Sequence, residues 1–142
     1  MKLTNEMKAV YADKLLAMSY ACFSGIEVPP RAEFLRHLQE DDVFVNCADD
    51  IVAYAIVEHR PGRAYIWQIA TKEEYRGLGH ARWLLAEIRN YYQPTETQID
   101  LTVKQDNVDA QILYLKSGYL VVAMLKDYYE PQTDGLRMRL VL

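Results

Sequence analysis

The chain lacks the residues that would argue for metal, nucleic acid or membrane. Only two cysteines occur, Cys22 and Cys47, with no Cys-x-x-Cys spacing and no histidine pairing, so no metal-ligand pattern is present. Both sit in apolar contexts and are expected to be buried thiols in a reducing compartment. Positive charge is also scarce. Sixteen Lys and Arg stand against twenty Asp and Glu, a net charge of −4, and the global basic field that favours nucleic acid is missing. No basic-then-apolar leader opens the chain, and no apolar run approaches the length of a membrane span. A cytoplasmic protein is expected. Repeats, linkers and low-complexity segments are absent too, which leaves one domain over residues 1–142. Half of the residues are apolar or aromatic, enough for a sizeable core.

The stretch from Gln68 to Ala86 organises the rest. A β-branched and aromatic run, Ala64 to Thr71, leads through a charged turn to Arg76-Gly77-Leu78-Gly79-His80-Ala81 and then into a helix. Ala81, Leu84, Leu85, Ile88 and Tyr92 recur at helical spacing, opposite Arg82, Glu87, Arg89 and Asn90, so one face packs on a sheet. At the helix start several amides have no intrahelical partner, and glycines at 77 and 79 let a bulky ligand approach the backbone. Such a strand–loop–helix unit suits a phosphate or pyrophosphate. It is neither a Walker loop, which ends in Gly-Lys-Ser/Thr, nor a dinucleotide loop, whose third glycine is absent.

Upstream, residues 4 to 20 place Met7, Val10, Tyr11, Leu15 and Met18 on one helical face, and a second helix follows from about Arg31 with Phe34, Leu35 and Leu38 buried. Val43 to Cys47 and the run from Ile51 to Glu58 form a hairpin around an acidic turn. Downstream, Gln98 to Val103 is a strand with Ile99, Leu101 and Val103 on one face and Gln98, Asp100 and Thr102 on the other. Asp106 or Asn107 caps a helix closed by Gly118. In it Ala110, Leu113 and Tyr114 make one face and Val108, Ile112 and Leu115 another, which implies burial on more than one side. Tyr119 to Lys126 is a strand, Asp127 to Gly135 a loop, and Leu136 to Leu142 a final strand. This order predicts an α/β or α+β fold, a mixed and mostly antiparallel sheet flanked by helices.

Arg76-x-x-Gly79-x-Ala81 resembles the acyl-coenzyme A loop of the GNAT N-acetyltransferases, Gln/Arg-x-x-Gly-x-Gly/Ala. Asn107-x-x-Ala110-x-x-x-Tyr114-x-x-x-Gly118-Tyr119 is similar to the segment that follows in that family. Asp127-Tyr128-Tyr129 and the closing Asp134 to Met138 look like the end of its ribosomal-protein alanine N-acetyltransferase group. The element order matches the GNAT fold over nearly the whole chain. No first strand precedes residue 4, which leaves a missing edge strand or a helix-first variant.

The resemblance implies acetyl-CoA as co-substrate. Backbone groups of Ile69 and Thr71 would bind the acetyl carbonyl and pantetheine. The amides of Arg76, Gly77, Leu78, Gly79, His80 and Ala81 would hold the pyrophosphate, and Asn107 would contact the pantetheine arm. Tyr114 would be the general acid for the thiolate, its unperturbed pKa of about 10 being matched to that task. Tyr128 and Tyr129 would shape the acceptor pocket. Each has a structural alternative: Asn107 as a helix cap, Tyr114 as a core aromatic, the tyrosine pair as a strand end. No metal is implied.

The family's base, a glutamate five residues before the motif Asn, is replaced by Thr102. Asp100 and Glu130 are the remaining carboxylates near the motifs, and both read as solvated or structural. His37 and His59 have no evident partner. Without a strong base a weakly basic acceptor is favoured: an α-amine, pKa about 8, has a neutral fraction near pH 7 a few hundredfold above that of lysine, pKa about 10.4. The acidic clusters Glu40 to Asp42 and Asp49-Asp50 could attract a cationic acceptor. The expectation is an acetyl-CoA-dependent N-acetyltransferase, monomer or homodimer, acting by direct attack on a peptide N-terminal α-amine or a small amine, since neither cysteine lies near the motifs. The alternatives are an acyl-CoA-binding regulator without catalysis and, more weakly, a structural interaction module.

Overall fold

A computed structural model describes residues 1–142. Helix α1 (Asn5–Cys22) starts at Thr4, whose hydroxyl accepts from the Met7 amide, and α2 (Arg31–Glu40) follows a connector containing a 3-10 turn at Gly25–Glu27. Strands β1 (Asp42–Cys47), β2 (Ile51–Arg60) and β3 (Arg63–Thr71) form a meander. Helix α3 (His80–Tyr92) leads to β4 (Gln98–Lys104), α4 (Val108–Lys116), β5 (Leu120–Glu130) and β6 (Thr133–Val141). The sheet order is β1-β2-β3-β4-β6-β5, and only β3 and β4 pair in parallel. This mixed, mostly antiparallel sheet flanked by helices is the expected architecture.

Helices cover both faces of β2, so Ile51 to Val57 is buried without a break, as strands covered on two sides are. On one side Leu84, Leu85, Ile88 and Tyr92 of α3 and Tyr114 of α4 pack on Ala55, Val57, Ile99, Leu101 and Met138. On the other, Leu15, Leu16 and Met18 of α1 and Phe34 and Leu38 of α2 pack on Val43, Tyr54 and Ile56. Beyond the reach of α1 and α2, that second face turns polar. There Asp100, wholly buried, accepts two hydrogen bonds from Arg139 at 2.8 and 3.1 Å, with Arg63 at 3.5 Å.

Several expectations are corrected. A first strand is present in outline: Lys2 bridges Phe44, and Leu3 N–H donates to the Val43 carbonyl at 2.7 Å. Val10 is exposed, because the buried face of α1 runs through Lys8, Leu15, Leu16, Met18 and Ser19. Val108, Ile112 and Leu115 are exposed as well, since α4 packs on the core through Tyr114, with Ala110 and Leu113 beside it, and nothing covers its outer face. The segment expected as a loop from Asp127 continues β5 to Glu130 and closes in a tight turn. Cys47 is exposed, and Cys22 is half-buried at the edge of the second core, so neither is the fully buried thiol expected.

Candidate active site

Strands β3 and β4 stay paired only from Arg63–Gln98 to Ile66–Leu101, then part. A bulge at Trp67 bends β3 at that point, and the indole is anchored toward α2 by stacking on His37, 3.8 Å between ring centroids. The Lys72 amide donates to the Val52 carbonyl at 2.9 Å, so by strand alternation the backbone groups of Gln68 and Ala70 also face β2. Those of Ile69 and Thr71 face the gap that β4 leaves.

Past the strand, Gly77 and Gly79 have φ of +76° and +89°. Arg76 Nε donates to the Thr71 carbonyl at 3.1 Å and Asn46 Nδ2 donates to His80 Nδ1 at 2.8 Å, which fixes both ends of the loop. Gly79 is the N-cap of α3 and brings no side chain to it, so the first-turn amides have no side-chain partner. A Cβ at 79 would meet nothing within 4 Å, so the left-handed backbone, and not crowding within the chain, calls for glycine there.

A cleft of about 730 Å³ runs from this loop along the gap to α4, within the usual size of small-molecule sites. Ile69, Thr71, Arg76, Gly77, Gly79, His80 and Ala81 line it from one side, Asn107 and Tyr114 from the other. Leu78 is exposed and does not line it. Arg76, Arg82, Lys104 and Lys116 outnumber the carboxylates of Glu27 and Asp109 on its wall, a balance that favours an anionic ligand. Asn107 caps α4, its Oδ1 accepting from the Ala110 amide at 3.2 Å, while also lining the cleft. Tyr114 is buried, and desolvation raises its phenol above the ordinary range.

A second cavity of about 380 Å³ opens between the α1–α2 connector and the β5–β6 hairpin. Tyr128 and Tyr129 line it, and Tyr129 lines the cleft as well. Gly135 lets the hairpin pack closely: a Cβ there would stand 3.1 Å from both Thr102 Cγ2 and Tyr128 Cβ. Phe23, Glu27, Thr102 and Tyr129 belong to both cavities, which meet at these four residues.

The base candidates weighed from sequence lie elsewhere. Asp100 is committed to its arginines, and Glu130 is exposed and lines neither cavity. His37 does have a partner, Asp41 Oδ2 at 2.6 Å, and His59 pairs with Glu96. The acidic clusters are engaged locally, Glu40 with Arg36, Asp42 with Lys2 and Asp50 with Lys14. Two residues that sequence reasoning passed over do reach the site. Cys22 lines the cleft, contrary to the expectation that neither cysteine lies near the motifs, and Glu27 stands where the cavities join. Nothing in the spacing of the connector marks Glu27 beyond its being the lone acid between Gly25 and Pro29.

The model of the acetyltransferase (GNAT) family matches residues 12–119. The chain belongs to the GNAT acetyltransferase family. It is similar to an uncharacterised N-acetyltransferase of Methanocaldococcus jannaschii, 34% identical over 90 residues covering 62% of this chain. It is likewise similar to the [ribosomal protein bS18]-alanine N-acetyltransferase of Haemophilus ducreyi, 32% identical over 95 residues covering 66% of this chain. Those matches span 58% and 65% of the two relatives' own lengths. Among solved structures, the ribosomal-protein-S18-alanine N-acetyltransferase of Escherichia coli superposes with a TM-score of 0.81 at 19% identity, over 99% of this GNAT chain and 94% of the other. At that identity the likeness is one of fold.

Proposed function

We propose that this GNAT protein transfers the acetyl group of acetyl-CoA to a primary amine, in first place a peptide N-terminal α-amine, by direct attack. The observation that carries this is the parting of β3 from β4 beneath the Gly77–Gly79 loop. It presents the backbone donors of Ile69 and Thr71, the amide-rich start of α3 and Tyr114 to one cleft. A thioester carbonyl beside Ile69 would meet a preorganised N–H as negative charge develops on its oxygen. The pyrophosphate would lie on the α3 amides, with Arg76 and Arg82 adding charge. A protonated Tyr114 would supply the proton that the departing thiolate takes up.

The acceptor would enter from the second cavity, between Tyr128-Tyr129 and the α1–α2 connector, whose Glu27 and Glu33 suit a cationic amine. The similarity to alanine N-acetyltransferases supports an α-amine acceptor. A second reading, a regulator that binds acyl-CoA without turnover, is favoured by Thr102 standing where the family has a glutamate. Incubation with acetyl-CoA and a panel of free-N-terminus peptides, N-blocked lysine peptides, polyamines and amino acids, followed by mass spectrometry of the acceptors, separates the two. Acetylated product with one acceptor class supports the enzyme. Saturable acetyl-CoA binding with no product from any acceptor supports the regulator.

A further inference from the structure

Resting on the acetyl-transfer reading above, we propose that Glu27 receives the acceptor amine and takes its proton. Transfer must occur where donor and acceptor spaces join, and four residues belong to both: Phe23, Glu27, Thr102 and Tyr129. Phe23 has no proton chemistry. The Thr102 hydroxyl is bonded to Tyr65 at 2.8 Å and to Arg137 Nε at 3.0 Å. The Tyr129 phenol is pushed up by burial and stays protonated near neutrality. Glu27 is the one carboxylate of the junction. Asp109 lines only the cleft and Glu33 only the second cavity.

The junction already holds an ammonium. Lys104 Nζ lies 2.9 Å from Glu27 Oε1 and 5.6 Å from the centroid of the Tyr129 ring, so a carboxylate and an aromatic face together accommodate a primary cation there. Both side chains of the pair are partly exposed, 22% for Lys104 and 27% for Glu27, so an incoming amine has access to the carboxylate. The connector that carries Glu27 is braced: the Val28 amide closes the 3-10 turn on the Gly25 carbonyl at 3.2 Å, and Pro29-Pro30 follow.

The step balances without a strong base. The neutral amine attacks the thioester carbonyl, forming the C–N bond and leaving a cationic nitrogen in the tetrahedral intermediate. That nitrogen is far more acidic than the free ammonium, so the Glu27 carboxylate can accept its proton. Collapse breaks the C–S bond, and the thiolate is protonated from the Tyr114 side. A base on the connector also accounts for the threonine at position 102.

Glu27→Gln and Lys104→Met remove the same ion pair, but only the first removes the carboxylate. With the best acceptor found, Glu27→Gln is expected to lower kcat/KM about 100-fold, as loss of a positioned base does. Its acetyl-CoA affinity should be unchanged, and Lys104→Met, compared at saturating acetyl-CoA because Lys104 stands on the cofactor cleft, should lose far less. Equal losses in the two variants would show that the pair is merely structural, and full activity in Glu27→Gln would remove Glu27 from the chemistry; either overturns the proposal. Should Glu27→Gln fail to fold, Glu27→Ala replaces it: reduced transfer at wild-type thermal stability supports the role, and wild-type transfer overturns it. Absence of transfer by the wild-type protein would instead bring down the acetyltransferase reading on which this rests.

Discussion

Cys22 Sγ lies 3.5 Å from the carbonyl oxygen of Thr71, one of the two β3 residues whose backbone faces the open gap. A thiol in that place raises the question of an acyl-enzyme. The contact answers it in part, because the thiol hydrogen is directed at that carbonyl, which Arg76 Nε also contacts at 3.1 Å, and no histidine stands in hydrogen-bond contact with the sulfur to act as its base. Cys22→Ala is therefore expected to retain transfer, with no thioester-linked acyl-enzyme in mass spectra of the acid-quenched protein. Loss of nearly all activity, as follows removal of a nucleophile, together with a trapped adduct on the wild type, would replace direct attack by a two-step route.

Gly79 bears on cofactor binding through its backbone. At φ +89° a β-branched residue is strained by about 1–3 kcal/mol, and relaxing that strain would turn the α3 amides away from the cleft. Acetyl-CoA at about 100 times Kd should stabilise the wild-type protein by roughly 2.7 kcal/mol, and Gly79→Val should lose that increment as well as some intrinsic stability. Thermal unfolding with and without acetyl-CoA measures both. An undiminished shift in the variant would move the pyrophosphate site elsewhere.

Tyr114 has a raised pKa because burial disfavours the phenolate. The acid form therefore persists through and beyond the ordinary tyrosine value of about 10, and the transfer rate should rise with pH as the acceptor deprotonates, with no fall between pH 9 and 10. Linkage has the matching sign: the raised folded pKa leaves stability untouched below about pH 10 and lowers it above, where the unfolded chain ionises first. Tyr114→Phe should cost about 100-fold in kcat while acetyl-CoA affinity holds. A wild-type kcat in the variant would return Tyr114 to the core.

What the sequence disclosed and what it withheld divide along a physical line. Leu84, Leu85, Ile88 and Tyr92 announce α3 because a helix packed on a sheet buries one stripe, and the stripe is visible as a period. The Ile51–Val57 run announces a strand for the same reason. Periodicity does not say whether a second layer exists to cover a face, so Val108, Ile112 and Leu115 looked buried and are not. Nor does it register the bulges that carry β5 past Asp127, whose φ of +53° lies inside the strand. Motif spacing located the cleft wall at Arg76, Gly77, Gly79, His80 and Ala81 and at Asn107 and Tyr114, though not at Leu78, because each motif is local. Glu27 and Cys22 reach the cleft only through the packing of the α1–α2 connector on β3 and β4, which leaves no local trace.

The central claim is transfer to an α-amine, and one comparison tests it most directly: the initial rate of acetyl-CoA-dependent thiol release at pH 7 with a free-N-terminus peptide lacking lysine, against an N-blocked peptide with one lysine. Because it is the neutral amine that attacks, the α-amine should be acetylated faster by about two orders of magnitude, in line with its larger neutral fraction. Equal rates, or a preference for lysine, would contradict the account.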